Sequence, residues 1–532
     1  MDWLEALRRF VPETEEERTA QAQVLALAAR HGEALLCRDC TAGHITCSGF
    51  LLSPDLSETL MAYHLVYGSV GWTGGHADGG TDLLAAALRE AREETGITKL
   101  YAQSSAVLSI DVLPVPAHEK HGVPVPAHLH YNVCFGLIAD RTQPLHEREG
   151  ENRDVRWLTQ EALHALCTEA HMLPIYDKLF DRMRRIAEEK AALPCRIAAP
   201  LLAWYPAHHR ALPWRETKDP YRVWVSEIML QQTRVEAVKG YYARFLRALP
   251  DIAALAAAPE EQLLKLWEGL GYYSRVRNLG RAARQITEQY GGRFPETYEQ
   301  VRALPGVGDY TAGAVCSICF SLPTPAVDGN VLRVMARVQE DHRNVLDTRT
   351  RADITEALRP VYEGSDPAML TQALMEMGAT VCIPGGAPRC GECPLSGICM
   401  AAAAGNAAGL PVREKKQHRR IEQKTVFILE CGGRIAIAKR PDTGLLASLW
   451  ELPNVPGHLN AQEAVRTASG WGVQPQELQK IVQRKHIFTH ITWEMQGVFL
   501  RCQNAVPEFT WAAPEELREV HSLPTAFRCL LE

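Results

Sequence analysis

Four cysteines, Cys382, Cys390, Cys393 and Cys399, fall within eighteen residues, with Pro384, Gly385, Gly386 and Pro394 shaping the loops between them. Thiolates this close repel one another unless a cation binds them, so the stretch is expected to fold around a metal centre. Tetrahedral Zn²⁺ and a 4Fe–4S cluster both accept four thiolates, and spacing does not separate them on physical grounds. The chain holds 15 cysteines, an odd number. Residues 1–5 lack the basic and apolar character of a signal peptide, and no apolar run approaches the ~18–20 residues needed to cross a bilayer. A cytoplasmic location follows, where thiols stay reduced and ligation is favoured over disulfides.

At 532 residues the chain exceeds one hydrophobic core, and its length suggests about three or four domains. Three blocks separate by pattern. Residues 1–190 mix β-rich runs with a helix near 82–95, an α+β pattern. Residues 195–405 read as helix almost throughout, punctuated by Leu249-Pro250, Gly291-Gly292 and Leu304-Pro305-Gly306. An Ala/Gly stretch and the basic run 413–420 suggest a linker over 406–422, and residues 423–532 return to short strands. The net charge of −6 is unevenly spread: residues 1–194 carry −10, 195–410 carry +1 and 411–532 carry +3. The acidity belongs to the first block, which leaves a nucleic-acid surface open to the others.

In the first block Glu90, Glu93 and Glu94 stand at i, i+3 and i+4, on one helix face. Three carboxylates there call for a cation, and a hard ion such as Mg²⁺ takes such oxygens together with substrate phosphates. From Gly75 to Ile97 the segment resembles the Nudix box at almost every position, except that the first Glu of the box falls on Thr81. The resemblance implies Mg²⁺-dependent cleavage of a nucleoside diphosphate linked to another moiety. Upstream, Cys37-x2-Cys40-x3-His44-x2-Cys47 offers zinc ligands or, alternatively, a strand with buried cysteines. His128 and His130 alternate on a further strand and read as packing or substrate-edge residues.

In the second block the Gly306-Val307-Gly308 turn joins two helical patterns. Glycines there let backbone N–H groups approach a phosphate, and the turn alone implies sequence-independent DNA binding. Glu227 lies among Val225, Ile228, Met229 and Leu230, where a carboxyl tends to hold its proton and suits a general acid. Asp328 lies in a turn-like Asp-Gly-Asn. Excising a purine needs protonation of the leaving base and an anion near the developing sugar cation, which two carboxylates in contrasting surroundings supply. The plainer alternative for Glu227 is a salt-bridged core residue.

From Ala203 to Cys399 the chain resembles MutY-type adenine glycosylases of the helix–hairpin–helix superfamily. The residues that carry this are Ser226-Glu227-x3-Gln231-Gln232-Thr233 and Val327-Asp328-Gly329-Asn330. The resemblance implies that Glu227 protonates the adenine ring and that Asp328 stabilises the sugar cation or helps deprotonate water. Tyr310 and Asn330 would line the reaction centre. Gln232 would wedge into the base stack as adenine flips out, and Arg210, Leu212, Trp214, Arg215 and Gln372 would contact the extruded base. The four cysteines would hold a structural 4Fe–4S cluster, although their first gap is seven residues and the family's is six. Endonuclease III, a lyase of the same superfamily, needs a Lys amine just before the hairpin Thr. Tyr310 stands there, and a phenol forms no imine.

In the third block, residues 440–453 resemble the Nudix-like C-terminal domain of MutY proteins, and the helix expected near 463–469 lacks a Glu trio, so hydrolysis is not expected. Phe488-Thr489-His490 resembles the family's Phe-Ser-His, with Thr489 keeping the hydroxyl and adding a methyl, which implies contact with 8-oxoguanine opposite the adenine; the alternative is a plain hairpin. The implied protein is a monomeric base-excision enzyme of the bacterial nucleoid with no membrane partner. It would act on double-stranded DNA holding A:8-oxoguanine or A:G and on a nucleotide at its Nudix domain. Two rival readings are a DNA-binding module that delivers the Nudix hydrolase and an endonuclease III-like glycosylase.

Overall fold

The computed structural model describes residues 2–40, 43–120, 123–148, 150–413, 419–488 and 490–531. It divides into two compact units, Met1–His209 with Val327–Glu414, and Arg210–Ala326 with Lys415–Glu532. The helical block expected over 195–405 contributes residues to both. Among the described residues no helix is long and apolar enough to cross a membrane.

The first unit opens with an eight-stranded mixed sheet whose centre is a parallel pair, His44–Leu52 and His128–Ala139. Every residue of His44–Leu52 is buried, because helices cover both faces. Ile45, Cys47 and Leu51 face the helices Glu15–His31 and Leu83–Thr95, while Phe50 and Leu52 face Leu173–Ala192. This strand alternation also settles the Cys37–Cys47 run. His44 and Cys47 are three residues apart on one strand and point to opposite faces, so they do not converge on an ion. Burial pushes the Cys47 thiol up to about 12, out of reach of a thiolate role.

The same unit holds helices Ala198–His208, Gly329–Val338, Thr348–Glu363 and Pro367–Thr380 around Leu201, Val331, Leu358 and Leu374. Ala407 and Leu410 pack with buried Ala401, so the expected linker is in fact anchored at its start by these apolar side chains. Residues 414–418 of that basic run lie outside the described residues. Glu340 joins the sheet domain to the helices. It is fully buried and accepts hydrogen bonds from Ser104 Oγ (2.7 Å), Ser105 N–H (2.9 Å) and Asn406 Nδ2 (2.7 Å).

The second unit packs Pro220–Leu230, Val235–Ala248, Ser274–Tyr290 and Asp309–Phe320 around Trp224, Phe245, Trp267 and Ile286. Each such large apolar side chain adds roughly 1.5–3 kcal/mol on burial. Its seven-stranded sheet repeats the parallel central pair, here Arg420–Cys431 with Ile491–Cys502.

Candidate active site

In the second unit, Asp219 caps the helix Pro220–Leu230 by accepting from the Tyr221 N–H (2.9 Å), and Pro220 presets its first turn. The helix carries Glu227 into the apolar core, where it is 5% exposed. The Tyr310 hydroxyl donates to Glu227 Oε2 at 2.5 Å. Tyr310 is the second residue of Asp309–Phe320, directly after the Gly-Val-Gly turn. That turn is braced from within. Gly306 takes φ +77°, Leu304 and Val307 are buried beneath it, and Arg302 bonds the Val307 carbonyl (2.9 Å) and the Asp309 carboxylate (2.6 Å). A side chain at Gly308 would meet nothing within 4 Å, so the approach to this helix N-terminus is open.

The end of the Glu227 helix depends on a residue that motif reading missed. Arg275 donates to the carbonyls of Ile228 (2.7 Å), Met229 (3.3 Å) and Gln231 (2.7 Å), and also to those of Leu270 and Gly271 (3.1 Å each). It thereby ties off carbonyls that the helix end leaves orphaned and holds the turn in which exposed Gln232 adopts φ +58°. Burial lowers the Arg275 guanidinium to about 10, so it stays charged at neutral pH. Arg275→Ala is expected to cost about 3 kcal/mol in urea unfolding, because a charged donor is lost and several carbonyls go unpaired. Arg275→Lys should recover less than half, since one ammonium does not span that set. A midpoint unchanged in Arg275→Ala would contradict this role.

In the first unit, Asp328 caps Gly329–Val338. Its Oδ1 accepts from the Asn330 and Val331 N–H groups (2.8 Å each) and its Oδ2 from Asn330 Nδ2 (2.7 Å). Burial raises the Asp328 carboxyl, against those three bonds that lower it. Asn330 Oδ1 in turn accepts from Arg333 (2.8 Å), which also donates to the Cys382 carbonyl (2.7 Å). One turn on, Arg337 donates to Cys382 Sγ (3.2 Å) and to the Ile383 carbonyl (3.0 Å). Two arginines at i and i+4 thus connect the Asp328 cap to the cysteine loop. Sequence reading missed both, although two cations in the apolar run Gly329–Val338 were the available signal.

The four cysteines line one apolar cavity together with Arg337. All are free of disulfides. Burial pushes Cys393 up to about 11 and raises Cys399, and the neighbouring thiols push both further. One buried and three half-buried thiols do not ionise together without a cation, so the donor set fits a metal centre.

On the helix Leu83–Thr95, Glu90 is buried and accepts from Arg89 (2.8 Å) and Arg148 (3.4 Å), and Arg148 also pairs with Glu93 (3.3 Å). Glu94 Oε1 accepts from the Gly74 N–H (3.2 Å), while its Oε2 is buried without a partner. Burial pushes Glu94 up to about 8. A Cβ at Gly75 would stand 2.5 Å from the Glu90 carboxyl carbon, so a side chain there would displace that carboxylate. Clustered carboxylates with an orphaned oxygen fit a hard divalent cation. Thr81 is an exposed loop residue just ahead of the capping Asp82.

Comparison with known proteins agrees with this chemistry. The model of the HhH-GPD superfamily base excision DNA repair protein matches residues 225–360, and NUDIX domain models match residues 20–179 and 425–532. The Homo sapiens adenine DNA glycosylase is 33% identical over 382 residues, covering 59% of this chain and 70% of its own length. The Mus musculus protein of that name is 35% identical over 379 residues, covering 59% and 73%. The Buchnera aphidicola (strain Bp) protein is 31% identical over 305 residues, covering 56% and 84%. The chain belongs to the adenine DNA glycosylase family. A Nudix domain stands at each end of its sequence, and the helical glycosylase core lies between them.

For this adenine glycosylase family member, the residues expected around the base divide between the two units. Leu212 and Trp214 are buried in the core beneath the Glu227 helix, with Trp214 edge-on to Tyr242 (5.4 Å). Half-buried Arg215 donates to the Arg210 carbonyl (3.2 Å). Gln372, in the other unit, accepts from the Tyr205 hydroxyl (2.6 Å). Glu227 and Asp328 likewise belong to different units. In the C-terminal Nudix domain, Glu463 is used in a capping box with Asn460, and the helix Ala461–Gly470 presents no carboxylate trio. Phe488 packs edge-on to Trp493 (4.9 Å) at the tip of the Pro475–Ile487 hairpin, and His490 is exposed. Thr489 lies outside the described residues.

Proposed function

We propose that this chain is a monofunctional adenine DNA glycosylase, which hydrolyses the N-glycosidic bond of adenine opposite 8-oxoguanine or guanine in double-stranded DNA. The observation that carries the reading is the hydrogen bond from Tyr310 to buried Glu227. Glu227, in apolar surroundings, gives a proton to the ring nitrogen of the leaving base, and the phenol fixes the carboxyl for that transfer. Asp328 is held by three hydrogen bonds and partly desolvated, which strengthens its attraction to a developing sugar cation. Asn330 keeps that carboxylate in place. The open Gly308 turn suits a DNA phosphate, Gln232 suits a wedge, and Phe488 with His490 suits contact at 8-oxoguanine.

Cys382, Cys390, Cys393 and Cys399 would hold a 4Fe–4S cluster. When bound, the cluster neutralises the thiolates, and Arg333 and Arg337 carry that fixed loop to Asp328. Glu90, Glu93 and Glu94 would hold Mg²⁺, which activates water and offsets phosphate charge. The chain is read as a cytoplasmic monomer.

The test uses duplexes containing A:8-oxoguanine. Strand breakage should appear only after alkali, and borohydride should trap no covalent enzyme–DNA adduct. A trapped adduct would replace this reading with a lyase of the endonuclease III kind. The Nudix site has its own test through Glu94. Its folded-state pKa of about 8 lies above its ordinary 4.5, so the unfolded chain loses this proton first and, without a divalent ion, stability falls between those values. A divalent ion replaces the proton, so its binding strengthens with pH. Mg²⁺ should therefore raise the melting temperature more at about pH 8.5 than at about pH 6; equal increments would count against a carboxylate site.

A further inference from the structure

We propose that His44, His76 and His130 form a binding site for a divalent transition-metal ion of the zinc class in the N-terminal Nudix domain, separate from the carboxylate face. Three adjacent strands assemble it. In the register of the sheet, His44 lies opposite His130, and His76 lies opposite Thr46, two residues along from His44 on the same face. One ring nitrogen from each of the three lies within 4.8 Å of the other two. The ring centroids are 4.9 Å apart for His44–His76, 4.9 Å for His44–His130 and 5.1 Å for His76–His130. His128 Nε2 is hydrogen-bonded to His130 Nε2 at 3.1 Å, a bond that an ion taken at that nitrogen would replace.

His44 is the decisive member. It is 5% exposed, and both of its ring nitrogens are buried without a hydrogen-bond partner. Leaving such a group unsatisfied is destabilising, and a coordinate bond would satisfy one of its nitrogens. Burial also lowers the His44 pKa, with His128 adding to the effect, and so favours the neutral imidazole that binds metal. The charged groups acting on it are Arg38 and Asp78, which are paired with each other at 2.7 and 2.8 Å.

The donor set is all imidazole. Mg²⁺ and Ca²⁺ prefer oxygen, whereas imidazole suits zinc, nickel, copper and iron. In a tetrahedral zinc site the N–N edge is about 3.3 Å, so an ion would draw the three nitrogens closer together than the 4.8 Å within which they now lie. The fourth position falls to His128 or to water. The site is linked to the Nudix box, because the His76 carbonyl accepts from Arg89 (3.3 Å) and the preceding Gly75 packs on Glu90.

The test titrates Zn²⁺ into the chelator-treated full chain, cluster loaded and in saturating Mg²⁺, against a chromophoric competitor. Wild type should bind one more equivalent than His76→Asn/His130→Asn, at equal iron content. Zn²⁺ should raise the melting temperature of wild type alone. Equal stoichiometry in the two proteins would overturn the site. Zinc-edge X-ray absorption on wild type covers the case in which the double variant misfolds. A nitrogen-dominated shell at about 2.0–2.1 Å is expected, and a shell dominated by sulfur or carboxylate oxygen would overturn the proposal.

Discussion

Glu227→Gln is expected to lower single-turnover adenine release by at least about 10³-fold, the upper part of the range for a general acid, while binding of the mispaired duplex persists. Glutamine preserves the volume in this buried position and still accepts from the Tyr310 hydroxyl, so the helix Pro220–Leu230 keeps its packing. What it lacks is a proton to give the departing base. The loss should therefore fall on the chemical step and leave the dissociation constant in place. Release at the wild-type rate would remove Glu227 from the role of proton donor.

Glu340→Ala is expected to destabilise the first unit by about 3–5 kcal/mol, the cost of removing one partner from a buried charged network. Ser104, Ser105 and Asn406 would lose their common acceptor. Burial alone would raise this carboxyl, but hydrogen bonds from His342, Ser105 and Ser104 outweigh it and hold the group at about 2. The sign follows from a folded-state pKa below the unfolded 4.5: the stabilisation is complete above pH 4.5 and is lost as pH falls from there toward 2. Urea midpoints of wild type and Glu340→Gln should therefore differ widely near neutrality and converge in acid. A gap that stays constant down to about pH 3 would contradict the assignment.

The residues legible from sequence are those set by local spacing. A three-residue and a four-residue step put the Nudix carboxylates on one face, four close cysteines announce a metal centre, and Gly-Val-Gly announces a hairpin. The Tyr310–Glu227 contact was approached only through family resemblance, since 83 residues separate the pair. Arg275, Arg333, Arg337 and Glu340 escaped notice because their partners are backbone carbonyls or side chains on distant segments, and periodicity registers a buried charge merely as an interruption. The division of the helical block into two units depends on where the chain returns after Ala326, which local pattern does not encode. His128 and His130 read as packing or substrate-edge residues because nothing on their own strand shows that His44 and His76 come alongside.

Identification of the free base released by the wild-type chain tests the central claim most directly. Duplexes carrying A:8-oxoguanine, A:G, T:G and undamaged A:T would be incubated with excess protein and the liberated bases resolved by mass. Free adenine should come from the first two and no base from the others. Thymine release, or no base from A:8-oxoguanine, would contradict the account.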